Sequence, residues 1–201
     1  MPLIRQEFIS LTKIRKSAFA IDKNQKPRFR KRGLLFLEFI TKGNRNVKLY
    51  VKQKVFSFRD SFTVKDEEGN DRYTVVGDFF SFPKTLRIYN TAGTEVLRIS
   101  RKLLTFLPRY QIYREDSLAA EIAKEFSFFT PKYYIDGAPF TVEGDFLSHN
   151  YEILRDGVPI AAIDKEWFTW GDSYVIDMQS TEDELIMLSI LIVIDCILSS
   201  N

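Results

Sequence analysis

A chain of 201 residues, 45% hydrophobic and 28% charged, can bury a sizeable core as one domain with room for an appendage. One cysteine, Cys196, excludes an intramolecular disulfide and a thiol-rich zinc site, and one histidine, His149, excludes a histidine metal cluster. The formal charge of +2 conceals a division, because residues 1–46 carry 12 Lys and Arg against 3 acidic residues whereas residues 47–201 carry 17 against 24.

The segment 1–46 holds a basic stretch from Lys13 to Arg32, then an apolar run from Leu34 to Ile40 broken by Glu38. A secretory signal needs a longer apolar core and a small-residue cleavage site, and neither is present. The expectation is a basic extension, disordered or lying upstream of a native start at Val47. The functional alternative is an arm that meets RNA or anionic lipid, each cation near an anionic membrane contributing about 1 kcal/mol.

From Lys48 onward short β-rich runs alternate with turn signals. Strands are expected at about 48–58, 60–66, 71–80, 84–90, 94–105 and 108–114, then at about 117–128, 131–136, 139–147, 150–155, 158–169 and 172–178. Glu68-Gly-Asn-Asp71, Asn90-Thr-Ala-Gly93, Asp136-Gly137 and Asp156-Gly157 supply tight-turn chemistry between them. The last stretch, 181–199, reads as a helix opened by a capping box of Thr181 and Glu184. From Leu185 to Leu198 only Ser189, Asp195 and Cys196 interrupt the apolar residues, so every face of this helix is apolar and must be surrounded. Roughly 20 apolar residues are needed to cross a bilayer, and this run is shorter and carries a carboxylate, which favours burial in protein over a membrane anchor.

Four ungapped copies of one frame run through the β-rich region. They begin at Val51, Ile99, Ile122 and Ile163, and each is completed by an aromatic residue at Phe62, Tyr110, Tyr133 or Tyr174. A second echo pairs Val76-Gly-Asp-Phe79 with Glu143-Gly-Asp-Phe146. Each copy is a strand, an aromatic corner and a return strand, the hairpin unit of antiparallel sheets. A twelve-stranded sheet left open would expose two edges, closure removes them, and a barrel of that size is too wide for its own side chains to fill. The fold expected is therefore a mainly β protein, a closed antiparallel β-barrel of about twelve strands, residues 47–201, around one central hydrophobic C-terminal helix.

The runs Leu49-Tyr-Val-Lys-Gln-Lys-Val-Phe-Ser57, Val76-Gly-Asp-Phe-Phe80, Leu107-Pro-Arg-Tyr110, Val142-Glu-Gly-Asp-Phe146, Lys165-Glu-Trp-Phe-Thr-Trp-Gly-Asp172 and Ile194-Asp-Cys196 closely resemble the bacterial YxjI-type branch of the LURP-one-related family. That family is grouped with tubby carboxy-terminal domains and phospholipid scramblases, whose shared fold is a twelve-stranded barrel around a hydrophobic helix. The resemblance implies the same architecture here, and a phospholipid or a protein as partner. The tubby basic lipid site has no residue-by-residue match, so none of it is carried over.

Candidate chemistry is sparse. No Gly-x-Ser-x-Gly elbow, P-loop or dinucleotide glycine pattern occurs, and Cys196 is expected in the core while His149 is expected on a loop, so an enzyme is not expected. Asp78, Asp145 and Asp172 each follow a glycine and read as turn residues, with a hydrolytic or calcium role as the weaker alternative. Asp195 is expected at a barrel mouth, or against a Lys or Arg of the wall, because an unpaired charge in an aliphatic helix is costly. In the repeat frame, Arg101, Lys124 and Lys165 share an inward register that implies a bulge or the barrel rim, and Lys102 follows Arg101. With Arg109 and Lys132 these form the candidate ligand-binding set. The two readings are a basic ring for a phosphate headgroup and a set of wall-to-wall Lys and Glu pairs. The function expected is a non-catalytic binding or scaffold protein, cytoplasmic and monomeric, with no cofactor, no specific nucleic acid, and a peripheral place at the membrane if lipid is the ligand. The alternative is a scramblase-like protein whose last helix inserts in the bilayer.

Overall fold

The computed structural model describes residues 47–52, 61–78, 82–127, 132–146, 148–168 and 171–199, so the basic extension 1–46 lies outside the described residues. Twelve strands precede one helix, α1 (Glu184–Leu198). The first six are β1 (Val47–Lys52), β2 (Ser61–Lys65), β3 (Asp71–Asp78), β4 (Thr85–Asn90), β5 (Glu95–Arg101) and β6 (Arg109–Arg114). The remainder are β7 (Ser117–Glu125), β8 (Lys132–Asp136), β9 (Phe140–Asp145), β10 (Asn150–Arg155), β11 (Val158–Phe168) and β12 (Gly171–Met178). Each lies where the alternation and turn residues place a strand.

Every ladder is antiparallel, in the order β8-β7-β6-β5-β4-β3-β2-β1-β12-β11-β10-β9. The first strand therefore joins the last, from Val47 opposite Met178 to Lys52 opposite Ser173. The two ends of the ladder, β8 and β9, lie against each other without strand pairing among the described residues, so the barrel is nearly closed. Aromatic rings cover this seam. Tyr133 of β8 meets Phe146 edge-on at 4.7 Å, and Phe146 packs on Tyr151 at 5.2 Å.

The inner face is aliphatic and aromatic, with Leu49, Val64, Val75, Ile88, Ile99, Ile112, Ile122, Ile153, Ile163 and Ile176 all at 0% exposure. These residues surround α1, in which every residue from Ile186 to Ile197 is buried. Each fully buried Leu or Ile contributes about 1.5–3 kcal/mol of transfer free energy, which a helix with apolar residues on every side can collect only when enclosed. The bore and the helix therefore stabilise each other.

The start of α1 differs from the expected capping box. Asp183 is the N-cap without a side-chain capping bond, and Thr181 accepts from the Glu184 amide through its backbone carbonyl at 3.3 Å. Glu184 is drawn to β3 instead, where Arg72 donates to it at 2.9 Å and the Tyr73 hydroxyl also donates to it. A buried carboxylate beside the positive end of a helix dipole and a guanidinium is better satisfied than it would be reaching back to its own backbone.

Candidate functional site

The two ends of the barrel are built differently. At the end where α1 begins, strands join through 66–70, 91–94, 115–116, 137–139 and 156–157, most of them tight turns. At the end where α1 finishes, the described residues between strands include the longer segment 102–108, with 82–84 and 126–127 beside it. All seven expected site residues gather at this second end: Arg101, Lys124 and Lys132 at strand termini, Lys102 and Arg109 beside them, Lys165 late in β11, and Asp195 in the last turn of α1.

Strand register divides them into an inner and an outer group. Arg101 lies opposite Tyr110, Lys124 opposite Tyr133, and Lys165 opposite Tyr174, and in each pair the tyrosine is buried inside the barrel. Directly opposed residues share a face, so these three cations leave the wall on its bore-facing side above a collar of tyrosines, and at the rim Lys124 also lines the pocket formed with Lys102 and Arg109. Three copies of the sequence repeat are this cross-strand pair seen along the chain, and in the copy that begins at Val51 the position of the cation lies outside the described residues. The register shifts fall elsewhere, at Val64/Lys65, Ile88/Tyr89, Ile112/Tyr113 and Ile153/Leu154, so the rim rather than a bulge accommodates the inward cations.

Asp195 sits at this mouth, 6% exposed. Among the described residues it is held by tyrosine rather than by an ion pair with the wall: the Tyr174 hydroxyl donates to it at 2.5 Å and Ser199 Oγ at 3.4 Å. Burial pushes its carboxyl up to about 6, against the opposing pull of those hydrogen bonds and of the Lys165 charge. With its one proton committed to Asp195, Tyr174 receives the second contact, at 3.1 Å, from His149 Nδ1 as donor. Burial, and after it the Lys165 charge, lowers the His149 pKa. The neighbouring Tyr133 hydroxyl is buried without a hydrogen-bond partner among the described residues.

The outer group centres on a residue that sequence reasoning missed. Glu121, in the middle of β7, accepts from Lys102 at 2.9 Å, from Arg109 at 3.0 Å and from Gln111 at 3.3 Å. Burial acts to raise its pKa, but the hydrogen bonds from the two cations prevail and lower it. The wall-pair reading thus holds for Lys102 and Arg109, though two cations share one carboxylate. Beside them Lys102, Thr105, Phe106, Leu107, Arg109 and Lys124 line an open pocket of about 360 Å³. Lys132 is exposed and opposite Glu125 in the ladder. The alternation of β7, with Ile122 inward and Glu121 outward, was the available signal for Glu121, but which cations would reach it depended on pairing with β6.

A model of the LURP-one-related family matches residues 47–195. The chain belongs to the LURP-one-related family. A relative described as uncharacterized protein YxjI, from Bacillus subtilis (strain 168), is 35% identical over 156 residues, covering 77% of this chain and 96% of that one. An X-ray structure of an Arabidopsis thaliana protein superposes with a TM-score of 0.53 at 14% identity, covering 75% of this chain and 90% of the other, a likeness of fold.

Three candidate groups for chemistry in this LURP-one-related barrel, Cys196, His149 and Asp145, have defined surroundings among the described residues. Cys196 is buried and its thiol is pushed up to about 12, chiefly by burial. His149 contacts a fully buried tyrosine rather than a serine or thiol. Asp145 receives hydrogen bonds from the Ser148 amide at 3.2 Å and hydroxyl at 2.7 Å, the geometry of a turn. Among the described residues, no helix is long and apolar enough to cross a membrane.

Proposed function

We propose that this LURP-one-related protein is a non-catalytic binding module whose long-loop mouth holds a phosphate-bearing lipid headgroup, acting in the cytoplasm at the membrane periphery. The observation that carries the reading is the pocket lined by Lys102, Arg109 and Lys124, in which two cations share the single carboxylate of Glu121. One positive charge is left over from that trio, Lys124 adds a second, and a phosphate oxygen is the complementary partner. The whole segment 47–201 is acidic, so this local patch has to act at short range. Insertion of α1 into a bilayer gains no support, since its apolar surface already lies inside the barrel.

Flotation of the full chain with vesicles tests the proposal. Binding to vesicles of phosphatidylcholine with phosphatidylglycerol, weakened more than about tenfold by Arg109→Glu with Lys124→Glu, is the expected result, because each cation near an anionic surface contributes about 1 kcal/mol. Binding that the double variant leaves unchanged overturns the assignment of this pocket.

A further inference from the structure

The same end of the barrel displays apolar side chains that the core does not use. Of the nine large hydrophobic residues exposed among the described residues, five lie there: Phe82 at 86%, Leu103 at 40%, Leu104 at 106%, Phe106 at 96% and Phe126 at 68%. They occupy the connections after β3, β5 and β7, alternate gaps along one arc of the rim. Single exposed hydrophobics are ordinary, but this clustering on the tips of neighbouring loops is not.

Leu104 adds a second, independent observation. Its φ is +57°, in the left-handed region that residues with a Cβ enter at a cost of about 1 kcal/mol or more. That conformation delivers the side chain wholly into solvent, so it gains no burial in return. Strain that leaves a leucine facing water points to a partner that completes the environment.

The charge on the same arc says which partner. The rim from Asp78 to Lys132 carries Lys84, Arg101, Lys102, Arg109, Lys124 and Lys132 against Asp78, Glu121 and Glu125. Apolar tips projecting beyond a collar of Lys and Arg match, in order, the acyl boundary and the anionic headgroups of one bilayer leaflet. We infer that the barrel docks end-on against an anionic bilayer, with Leu104 and Phe106 at the centre of the inserted tip, Phe82 and Phe126 flanking them, and the Lys102, Arg109 and Lys124 pocket at headgroup level. This rests on the headgroup reading and adds to it an orientation and a second source of affinity.

The test places an environment-sensitive nitrobenzoxadiazole thiol label at Leu104→Cys in the full chain. Cys196 is buried with its thiol pushed up to about 12, so the label goes to the new site. Leu118→Cys, exposed at the opposite end of the barrel at 54%, serves as control. On vesicles of phosphatidylcholine with phosphatidylglycerol, the label at 104 is expected to shift to an apolar emission and that at 118 to remain aqueous. Leu104→Asp with Phe106→Asp is expected to weaken partitioning at least about tenfold with an unchanged melt, since neither side chain contributes to the core. If vesicles bind, respond to Arg109→Glu with Lys124→Glu, and leave the label at 104 in water, the insertion is overturned and the headgroup reading survives. If binding is absent, or ignores both pairs of substitutions, both readings fall.

Discussion

Asp195→Asn isolates the energetic cost of a charge at the barrel mouth. The carboxylate is 6% exposed and lies in the last turn of α1, where the helix dipole opposes negative charge and no basic residue of that turn offsets it. Its carboxyl titrates near 6 in the folded protein against 3.8 when unperturbed, a difference equivalent to about 3 kcal/mol. Because the folded-state value is the higher one, the native state binds the extra proton. The contribution to stability is therefore fully present below about 3.8, is lost as pH rises through about 6, and stays lost above that. An asparagine keeps an oxygen for the Tyr174 hydroxyl and removes the titration. Urea unfolding followed by intrinsic fluorescence across this range gives the comparison. Relative to the native protein, the variant is expected to gain about 3 kcal/mol between the acidic and the neutral limit, whatever its stability at the acidic limit. Two parallel stability curves would refute the reasoning, since they would mean that Asp195 titrates alike in the folded and unfolded chains.

Three shorter predictions follow from other parts of the barrel. Gly144 has φ +149°, and a Cβ there would lie 2.5 Å from Tyr151 Cα and 2.6 Å from the Asn150 carbonyl oxygen, so Gly144→Ala is expected to cost about 2 kcal/mol or more in thermal or urea unfolding. Leu191→Ala, at 0% exposure in the middle of α1, is expected to cost about 3–4 kcal/mol by the same measurement and to leave the barrel prone to bind apolar dyes. Glu121→Gln frees Lys102 and Arg109 from their shared partner, and flotation with anionic vesicles is expected to show about fivefold tighter binding, one extra positive charge contributing about 1 kcal/mol.

The architecture was legible because its signals are local or global and do not depend on fine geometry. Alternation and turn residues placed all twelve strands, and a helix apolar on every side required a container. The capping box was misread because the pattern Thr181 to Glu184 is local, whereas the competing partners Arg72 and Tyr73 lie more than a hundred residues away in sequence. The same limit applies to the site. Repeat spacing brought Arg101, Lys124 and Lys165 to one rim, since identical frames end at identical heights in an antiparallel barrel. Glu121 and the relay from His149 through Tyr174 to Asp195 depend on which strands become neighbours, and no single-strand pattern carries that information.

The two ends of the barrel carry different kinds of irregularity. Where α1 begins, Glu184 faces Arg72, Asp183 faces Arg155, whose Nε is buried without a partner among the described residues, and Glu115, Asp116 and Asp156 take positive φ in tight turns. Where α1 finishes, a carboxylate sits at the wrong end of a dipole, a leucine adopts a left-handed backbone to face water, a tyrosine hydroxyl is buried without a partner among the described residues, and two cations share one carboxylate. Each departure costs stability, and a partner bound at that mouth would offset the cost. Natural sequences keep such departures where function requires them, and the proposed docking surface would give these four a common use.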